Sequence, residues 1–210
     1  MKIEVKNVTK SFGKNEVIHN IDMVFESGKI YGLIGRNGSG KSVFLKMLCG
    51  FYKPTTGSII YDGVDITKDN LFPTDTRALI EHPNFLPDLT GFENLQLLAS
   101  IQNKISKDDI ISTLKRINLY DEKDKKFSKY SLGTKQKLGI AQVLMEDPKV
   151  MIFDEPMNGV ENETALEIRK IIKEEKKKGK LIIIASHIKE DIVGLSDEVY
   201  EFDAGKMKKI

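Results

Sequence analysis

The sequence is poor in cysteine: Cys49 is the single thiol in a chain of 210 residues. One cysteine excludes an internal disulfide and a cysteine-based zinc site, and it fits a reducing compartment. Because Cys49 lies in an apolar stretch, we expect it to be a buried structural thiol rather than a reactive one.

The chain also lacks long hydrophobic runs and an excess of either charge. Its longest apolar runs, such as Leu181–Ala185, fall far short of the roughly 18 residues that span a bilayer. The first residues, Met1–Val5, do not resemble a secretory signal. A formal net charge of +2 gives no electrostatic reason to expect nucleic acid as a partner. These absences predict a cytoplasmic protein that binds no nucleic acid and does not itself cross a membrane.

The most informative segment that is present is a glycine-rich octapeptide at residues 35–42, Gly-Arg-Asn-Gly-Ser-Gly-Lys-Ser. It fits the phosphate-loop pattern G-x-x-x-x-G-K-[ST] in full. An apolar strand precedes it and a helix follows, so backbone N–H groups gather at the positive end of the helix. We expect Lys41 to reach the β- and γ-phosphates and the Ser42 hydroxyl to bind Mg²⁺. The nucleotide-binding residues of this nucleoside triphosphate site are predicted to be Gly35, Arg36, Asn37, Gly38, Ser39, Gly40, Lys41, Ser42 and Val43.

A second apolar strand, Val150–Phe153, ends abruptly in two carboxylates, Asp154 and Glu155. The carboxyl ends of parallel strands are where ligands bind in open α/β sheets. We therefore expect Asp154 to hold Mg²⁺ through its water shell, and Glu155 to orient and deprotonate an attacking water. The alternative is that this pair is an ordinary solvated turn.

Hydrophobic periodicity predicts an α/β fold in one domain, residues 1–210. Strands are expected first, a run of helices follows, and strands return near the end of the chain. The predicted catalytic core covers about 1–83 and 146–210 and includes an antiparallel β subdomain, while residues of about 84–145 form an inserted α-helical subdomain. The individual strands are predicted at 3–8, 17–25, 29–34, 58–63, 150–153 and 181–185, with a helix at 163–178 and a final hairpin at 198–210.

Residues 130–137, Tyr-Ser-Leu-Gly-Thr-Lys-Gln-Lys, resemble the LSGGQ signature segment of ATP-binding-cassette (ABC) ATPases. They depart from it at Tyr130, Leu132 and Thr134. The resemblance covers essentially the whole chain and implies a RecA-like P-loop core that binds ATP and Mg²⁺. It also implies contacts to the γ-phosphate held by an opposite subunit, made by Ser131, Gly133 and Gln136. The alternative is a simple helix cap at Ser131, with Gln136 exposed.

The same resemblance assigns roles to two further residues. His187 matches the switch histidine that contacts the γ-phosphate, and Phe12 falls where the family has an aromatic residue that stacks on adenine. Stacking needs only a π-face, so the preference for ATP over GTP follows from the resemblance alone. The alternatives are a structural histidine and an ordinary core phenylalanine.

Glu81 is the most unusual position, because ABC ATPases normally have Gln in this loop between the core and the helical lobe. A third carboxylate beside Asp154 and Glu155 is tolerable only if Mg²⁺ is bound or the group is protonated. We therefore expect Glu81 to act at the catalytic and metal site. Glu81 and the form of the signature resemble the subgroup that exports peptide antibiotics such as bacitracin and lantibiotics.

The resemblance thus implies the ATP-hydrolysing subunit of a membrane transporter that exports peptide antibiotics or similar compounds. Such a subunit works as a homodimer or heterodimer, held on the inner face of the membrane by transmembrane permease subunits that dock near Asn84–Leu97. The alternative is a soluble ABC-type ATPase acting in translation or DNA repair. A GTPase or kinase with the same loop would not explain the signature segment or His187.

Overall fold

The computed structural model describes residues 1–68 and 71–210, which form two β-sheets and their covering helices. In chain order the strands are β1 (Lys2–Phe12), β2 (Asn15–Glu26), β3 (Ile30–Ile34), β4 (Thr56–Tyr61), β5 (Val64–Asp65), β6 (Thr76–Leu79), β7 (Val150–Asp154), β8 (Leu181–Ser186), β9 (Glu198–Asp203) and β10 (Lys206–Lys209). The helices are α1 (Lys41–Leu48), α2 (Gly91–Gln102), α3 (Lys107–Arg116), α4 (Leu132–Leu144), α5 (Asn162–Lys177) and α6 (Lys189–Ile192).

The two sheets differ in strand direction. The first is antiparallel, in the order β2-β1-β4-β5, and the second has the order β10-β9-β3-β8-β7-β6. In the second sheet β9, β3, β8, β7 and β6 are parallel, and β10 adds an antiparallel edge. The carboxyl ends of β3, β7 and β8 therefore meet at one edge, which is where the phosphate loop begins and where Asp154 ends its strand.

Side chains of the central strands alternate between two cores. Along β7, Met151 and Phe153 pack with the helical segment, while Val150 and Ile152 pack with the antiparallel sheet and α1. Every residue of β7 and β8 is buried, as expected for strands covered on both faces. The parallel sheet is thus the shared wall between the two cores.

Most of the elements that periodicity predicts are present. The final hairpin turns at Ala204 and Gly205, which both have positive φ (43° and 78°), as a tight two-residue hairpin turn requires. Cys49 is buried, and burial raises the pKa of its thiol to about 12. Strand β6 was not predicted, because its short Thr-Arg-Ala-Leu sequence has no periodicity of its own. The helical segment predicted at about 84–145 contains α2, α3 and α4, with short 3₁₀ turns before α4.

Within residues 1–68 and 71–210, none of the helices combines the length and the apolar character needed to cross a bilayer.

Candidate active site

The glycine-rich loop connects the end of β3 to the start of α1. A Cβ atom on Gly35 would lie 2.3 Å from the Phe202 carbonyl oxygen and 2.8 Å from Ser39 Oγ, so no larger residue fits there. Gly40 has φ +111°, a conformation that L side chains rarely adopt. The loop is therefore built on a close approach to β9 and a left-handed turn directly before the helix.

Helix α1 begins at Gly40 with no side-chain cap and no acidic residue in its first turn. The N–H groups at a helix start have no partner within the helix, and the helix dipole adds partial positive charge there. Together with the loop, this helix start lines a cleft of about 170 Å³. The cleft walls are formed by Val17, Asn37, Gly38, Gly40, Lys41, Ser42, Val43, Asp154 and Glu155. An anion of phosphate size is the ligand that such a cleft favours.

Lys41 is buried beneath this cleft, although it carries a charged group. Its Nζ donates to the carbonyl oxygens of Gly35 (2.5 Å) and Arg36 (3.1 Å). Burial lowers the pKa of Lys41, and the negative charges of Glu155 and Asp154 oppose that shift. An ammonium group has three donors, so these two bonds leave one for a phosphate oxygen.

Ser42 and Asp154 meet on the opposite side of the loop. The Ser42 hydroxyl donates to Asp154 Oδ2 at 2.6 Å, and Asp154 is only 2% exposed. Burial raises the pKa of Asp154, and the hydrogen bond from Ser42 opposes the shift. Asp154 Oδ1 is buried without a hydrogen-bond partner among the described residues. A buried carboxylate oxygen of this kind needs a donor or a cation, so these two side chains fit a Mg²⁺ site.

Glu155 is held in place by groups at the end of β8. Its Oε1 accepts the main-chain N–H of His187 at 2.8 Å, and His187 Nδ1 lies 2.9 Å from the same oxygen. Its Oε2 accepts the Ser186 hydroxyl at 3.0 Å. Glu155 itself has φ +53°, which is uncommon for a residue with a side chain and is found at many active sites. The structure thus brings Glu155 and His187 together beside Asp154.

The signature segment forms the start of α4. Ser131 is its N-cap, with Oγ accepting the Thr134 N–H at 3.2 Å. Ser131 is exposed, and with Gly133 it lines a separate cleft of about 250 Å³. Tyr130, which replaces the usual Leu, is buried and donates from its hydroxyl to the Glu122 carbonyl oxygen at 2.7 Å. The capping part of the alternative interpretation is therefore present, and it leaves Ser131 and Gly133 accessible.

The alternative that Gln136 is exposed is wrong, and its contact with a nucleotide held by the opposite subunit stays a prediction. Gln136 is 2% exposed, and its Nε2 donates to the Glu155 carbonyl oxygen at 3.3 Å. The physical reason is helical periodicity, since Gln136 shares the buried face of α4 with Gly139 and Ile140. Gln136 supports the main chain of Glu155.

Comparison with known proteins shows the family to which the chain belongs. The sequence matches the family described as "ABC transporter" over residues 18–158. The chain belongs to the ABC transporter family. It is an ATP-binding subunit of the ABC ATPase type, as the signature segment and the phosphate loop predict.

Three relatives show where this ABC ATPase lies in the family. It is 42% identical to the uncharacterized ABC transporter ATP-binding protein YybJ of Bacillus subtilis, over 98% of this chain and 94% of that protein. It is 40% identical to the bacitracin transport ATP-binding protein BcrA of Enterococcus faecalis, over 94% of this chain and 65% of that protein. It is 34% identical to the lantibiotic transport ATP-binding protein SrtF of Streptococcus pyogenes, over 98% of this chain and 88% of that protein.

A solved structure confirms the predicted fold class. The crystal structure of the ADP conformation of MJ1267, an ATP-binding cassette of an ABC transporter, superposes with a TM-score of 0.86 at 26% identity. The superposition covers 99% of this chain and 90% of that one. The α/β prediction, with parallel and antiparallel sheets and added helices, is therefore correct.

Glu81 lies two residues after the end of β6, and its carboxylate pairs with a cation of α1. It is paired with Lys46 of α1, at 2.5 Å between Nζ and Oε1, and its side chain is 63% exposed. Among residues 1–68 and 71–210, no three acidic, histidine or cysteine side chains form a group that could hold a metal ion. That Glu81 acts as a metal ligand therefore stays a prediction. Its charge still contributes to the raised pKa of Asp154, after burial and the nearer groups.

Phe12 ends β1 at the rim of the site, and the alternative that it is a core residue is wrong. Its ring is 45% exposed and contacts Tyr52 edge to face, with 5.4 Å between the ring centroids. Lys10 Nζ lies 4.9 Å from the Phe12 ring centroid. Phe12 is not part of the phosphate cleft wall, which Val17 forms on this side. Stacking of the Phe12 ring on adenine stays a prediction.

Two functional groups were missed from the sequence. The Ser186 hydroxyl, fully buried, bonds to Glu155, and the main-chain N–H of His187 bonds to the same carboxylate. For Ser186, its position at the carboxyl end of an apolar strand was the available signal.

Proposed function

We propose that this ABC ATPase hydrolyses Mg²⁺–ATP in sites shared by two subunits and drives export of a peptide antibiotic through a separate permease. The observation that carries the hydrolytic part is the Glu155 carboxylate, held by Ser186 and His187 beside the Ser42–Asp154 pair. A carboxylate fixed at the end of a strand, next to a phosphate cleft, has the position that a general base needs.

ATP fits the cleft through its phosphates. The start of α1 and the loop N–H groups bind the phosphate oxygens, and Lys41 supplies a charge-assisted bond to the terminal phosphates. Ser42 and Asp154 would hold the Mg²⁺ ion, which would neutralise phosphate charge when bound. Glu155 would accept a proton from the attacking water, and His187 beside it would contact the γ-phosphate. The exposed ring of Phe12 stacks on the adenine.

Two subunits complete each site. Ser131 and Gly133 line a cleft distinct from the phosphate cleft of the same subunit. The family resemblance implies that the signature segment of one subunit faces the phosphate loop of the other, and in a two-fold dimer this contact occurs twice. The start of α4 then points its free N–H groups at the γ-phosphate of the partner. Either a homodimer or a heterodimer satisfies this geometry.

The membrane connection is made by a transmembrane permease at the inner face of the membrane. We infer that residues of about 84–145 form the helical subdomain that contacts it, near Asn84–Leu97. Leu86 is 52% exposed there, whereas Phe85 and Leu95 are buried in the core. Leu86 is therefore one apolar anchor that the segment offers to a partner, and Leu97, which is 49% exposed, is a second.

The transported substrate is inferred from relatives. BcrA is a bacitracin transport protein by name and SrtF a lantibiotic transport protein, and both align with nearly all of this chain. Because this chain spans 65% of BcrA, the activity of that whole protein comes to this chain only as a proposal. A peptide antibiotic is the substrate class that both relatives share.

The decisive experiment combines an enzyme assay with an export assay. Glu155→Gln should keep ATP binding and lose nearly all turnover, because an amide does not accept the proton from water. Cells that carry Glu155→Gln should become more sensitive to bacitracin or a lantibiotic, and a multi-span membrane protein should co-purify with both forms. Wild-type turnover in Glu155→Gln would refute the assignment of Glu155 as the general base. Unchanged sensitivity, with the chain bound to ribosomes or DNA repair complexes, would refute the transport role.

The shared site has its own test. Ser131→Arg should bind ATP but block dimer closure, and Lys41→Ala should fail to bind ATP. In a mixed dimer of the two variants, one site carries both lesions and the other carries neither. Partial recovery of hydrolysis is expected on mixing, and its absence in proven mixed dimers would contradict a site shared between subunits.

A further inference from the structure

Ser186 places one hydroxyl between two carboxylates. It is the last residue of β8, it is fully buried, and its Oγ lies 3.0 Å from Glu155 Oε2 and 3.4 Å from Asp191 Oδ2. A serine hydroxyl has one hydrogen to donate, so it can serve only one of these carboxylates at a time. Which one it serves decides how Glu155 is held.

The surrounding contacts direct this hydrogen to Glu155. Hydroxyl–oxygen bonds are normally 2.5–3.0 Å long, which the Glu155 contact satisfies and the Asp191 contact exceeds. Asp191 is already compensated, because Arg169 Nη2 donates to its Oδ1 at 2.8 Å. The Ile188 N–H donates to Ser186 Oγ at 3.0 Å and fixes the oxygen. Arg169 thus compensates the charge of Asp191 through its other oxygen, Oδ1, and the shorter contact directs the hydroxyl to Glu155.

We infer that Ser186 is a positioning residue for the general base, and that the Arg169–Asp191 pair keeps its hydroxyl directed at Glu155. The inference rests on the proposed function, in which Glu155 is the base. His187 holds Oε1 and Ser186 holds Oε2, so together they fix the plane of the carboxylate. The terminal torsion angle of a glutamate side chain is otherwise broadly distributed. Loss of one of the two hydrogen bonds would let the carboxylate rotate away from the water that it must deprotonate.

The first test removes the hydroxyl, in the full chain assembled with its partner subunits. Ser186→Ala should lower kcat for ATP hydrolysis about tenfold, while KM for ATP stays within about twofold. The matched control is Ser196→Ala, since Ser196 Oγ is also buried but has no hydrogen-bond partner among the described residues. Ser196→Ala should leave both constants at the wild-type values. An unchanged or raised kcat in Ser186→Ala would overturn the inference.

The second test changes Arg169, which acts on Ser186 through Asp191. This test remains decisive if Ser186→Ala does not fold. Arg169 contacts Asp191 and the Glu190 carbonyl oxygen through a single nitrogen, Nη2, so a lysine can supply the same point charge. Arg169→Met should lower kcat with KM for ATP unchanged, and Arg169→Lys should restore most of it. Equal kcat in these two variants would overturn the role of the Arg169–Asp191 pair.

The outcome can be separated from that of the proposed function. If wild-type protein hydrolyses ATP and Glu155→Gln does not, the base is established. Failure of Ser186→Ala to lower kcat then counts only against positioning by Ser186. If Glu155→Gln retains wild-type turnover, the base assignment and the positioning role fall together.

Discussion

The Ser42 hydroxyl donates to Asp154 Oδ2 at 2.6 Å, which joins the first turn of α1 to the end of β7 across 112 residues of sequence. The phosphate loop and the strand with the two carboxylates therefore form one site, although each was recognised from its own local pattern. The second oxygen of Asp154 has no partner within the described residues. This pair is where the structure most directly supports a metal ion.

Asp154→Asn tests that pair. The amide keeps the shape and can still accept the Ser42 hydroxyl, but it removes the negative charge that Mg²⁺ prefers. The apparent Mg²⁺ affinity of the ATP complex should fall roughly tenfold or more. A Mg²⁺ titration of ATP hydrolysis measures the change, and Ser42→Thr, which keeps the hydroxyl, serves as the control. An unchanged titration curve would place the metal elsewhere.

Lys41→Ala should weaken ATP binding itself. Its ammonium is buried and donates to the Gly35 and Arg36 carbonyls, so the substitution removes both a phosphate contact and a support of the loop. A charge-assisted bond of this kind contributes about 1.5–3 kcal/mol, or roughly tenfold or more in affinity. Calorimetric titration with ATP measures the loss. The exposed Lys208→Ala is the matched control, and equal affinity in the two variants would contradict the position of the loop.

The sequence was sufficient for these two sites because each lies in a contiguous pattern of residues. The loop, Asp154 and Glu155 are recognisable without knowing what packs against them. Gln136 shows the limit, since its burial depends on which face of α4 meets the core. The contact of Ser186 with Glu155 likewise depends on β7 and β8 being neighbours, which no local pattern states. Tertiary packing therefore determines the burial of Gln136 and the contact of Ser186, and the sequence alone does not show it.

The ion pair of Glu81 could not be predicted for a related reason. The place of Glu81 in the chain, after a strand that was not itself predicted, was consistent with a role beside Asp154. Its left-handed backbone, with φ +63°, and the nearby ammonium of Lys46 instead give its carboxylate another partner. A competing cation on a different element cannot be found from the sequence around Glu81.

Gly35→Ala should destabilise the protein as well as impair nucleotide binding. The added Cβ would lie 2.3 Å from the Phe202 carbonyl oxygen, a backbone atom that cannot move aside on its own. Overpacking of this kind costs about 1–3 kcal/mol in the free energy of unfolding. Urea denaturation measures it. Gly194→Ala gives a comparison, because Gly194 has φ +85° and nothing within 4 Å of an added Cβ, so it measures the backbone strain that Gly35→Ala does not impose. Equal stability of Gly35→Ala and wild type would refute the close approach.

Glu81→Gln tests whether the unusual carboxylate acts through its charge. Glu81 is paired with Lys46 and contributes to the raised pKa of Asp154, so its negative charge is felt at the metal site without direct contact. The substitution preserves shape, and folding and ATP binding should survive. The apparent Mg²⁺ affinity should fall by about twofold to threefold, since an exposed charge contributes under about 1 kcal/mol.

Lys46→Gln is the reciprocal variant, and it tests the same prediction from the other partner of the ion pair. It removes the positive charge and leaves Glu81 free, so the apparent Mg²⁺ affinity should shift in the opposite direction. Mg²⁺ titrations of hydrolysis for both variants, measured at low ionic strength where screening is weak, give the two shifts. In the assembled transporter, transport per ATP should also change in Glu81→Gln, because this loop joins the core to the helical segment that follows. If both variants titrate like wild type and transport is unaltered, Glu81 is only a tolerated replacement for the usual glutamine. Glu81 would then no longer support assignment of the chain to the antibiotic-exporting subgroup.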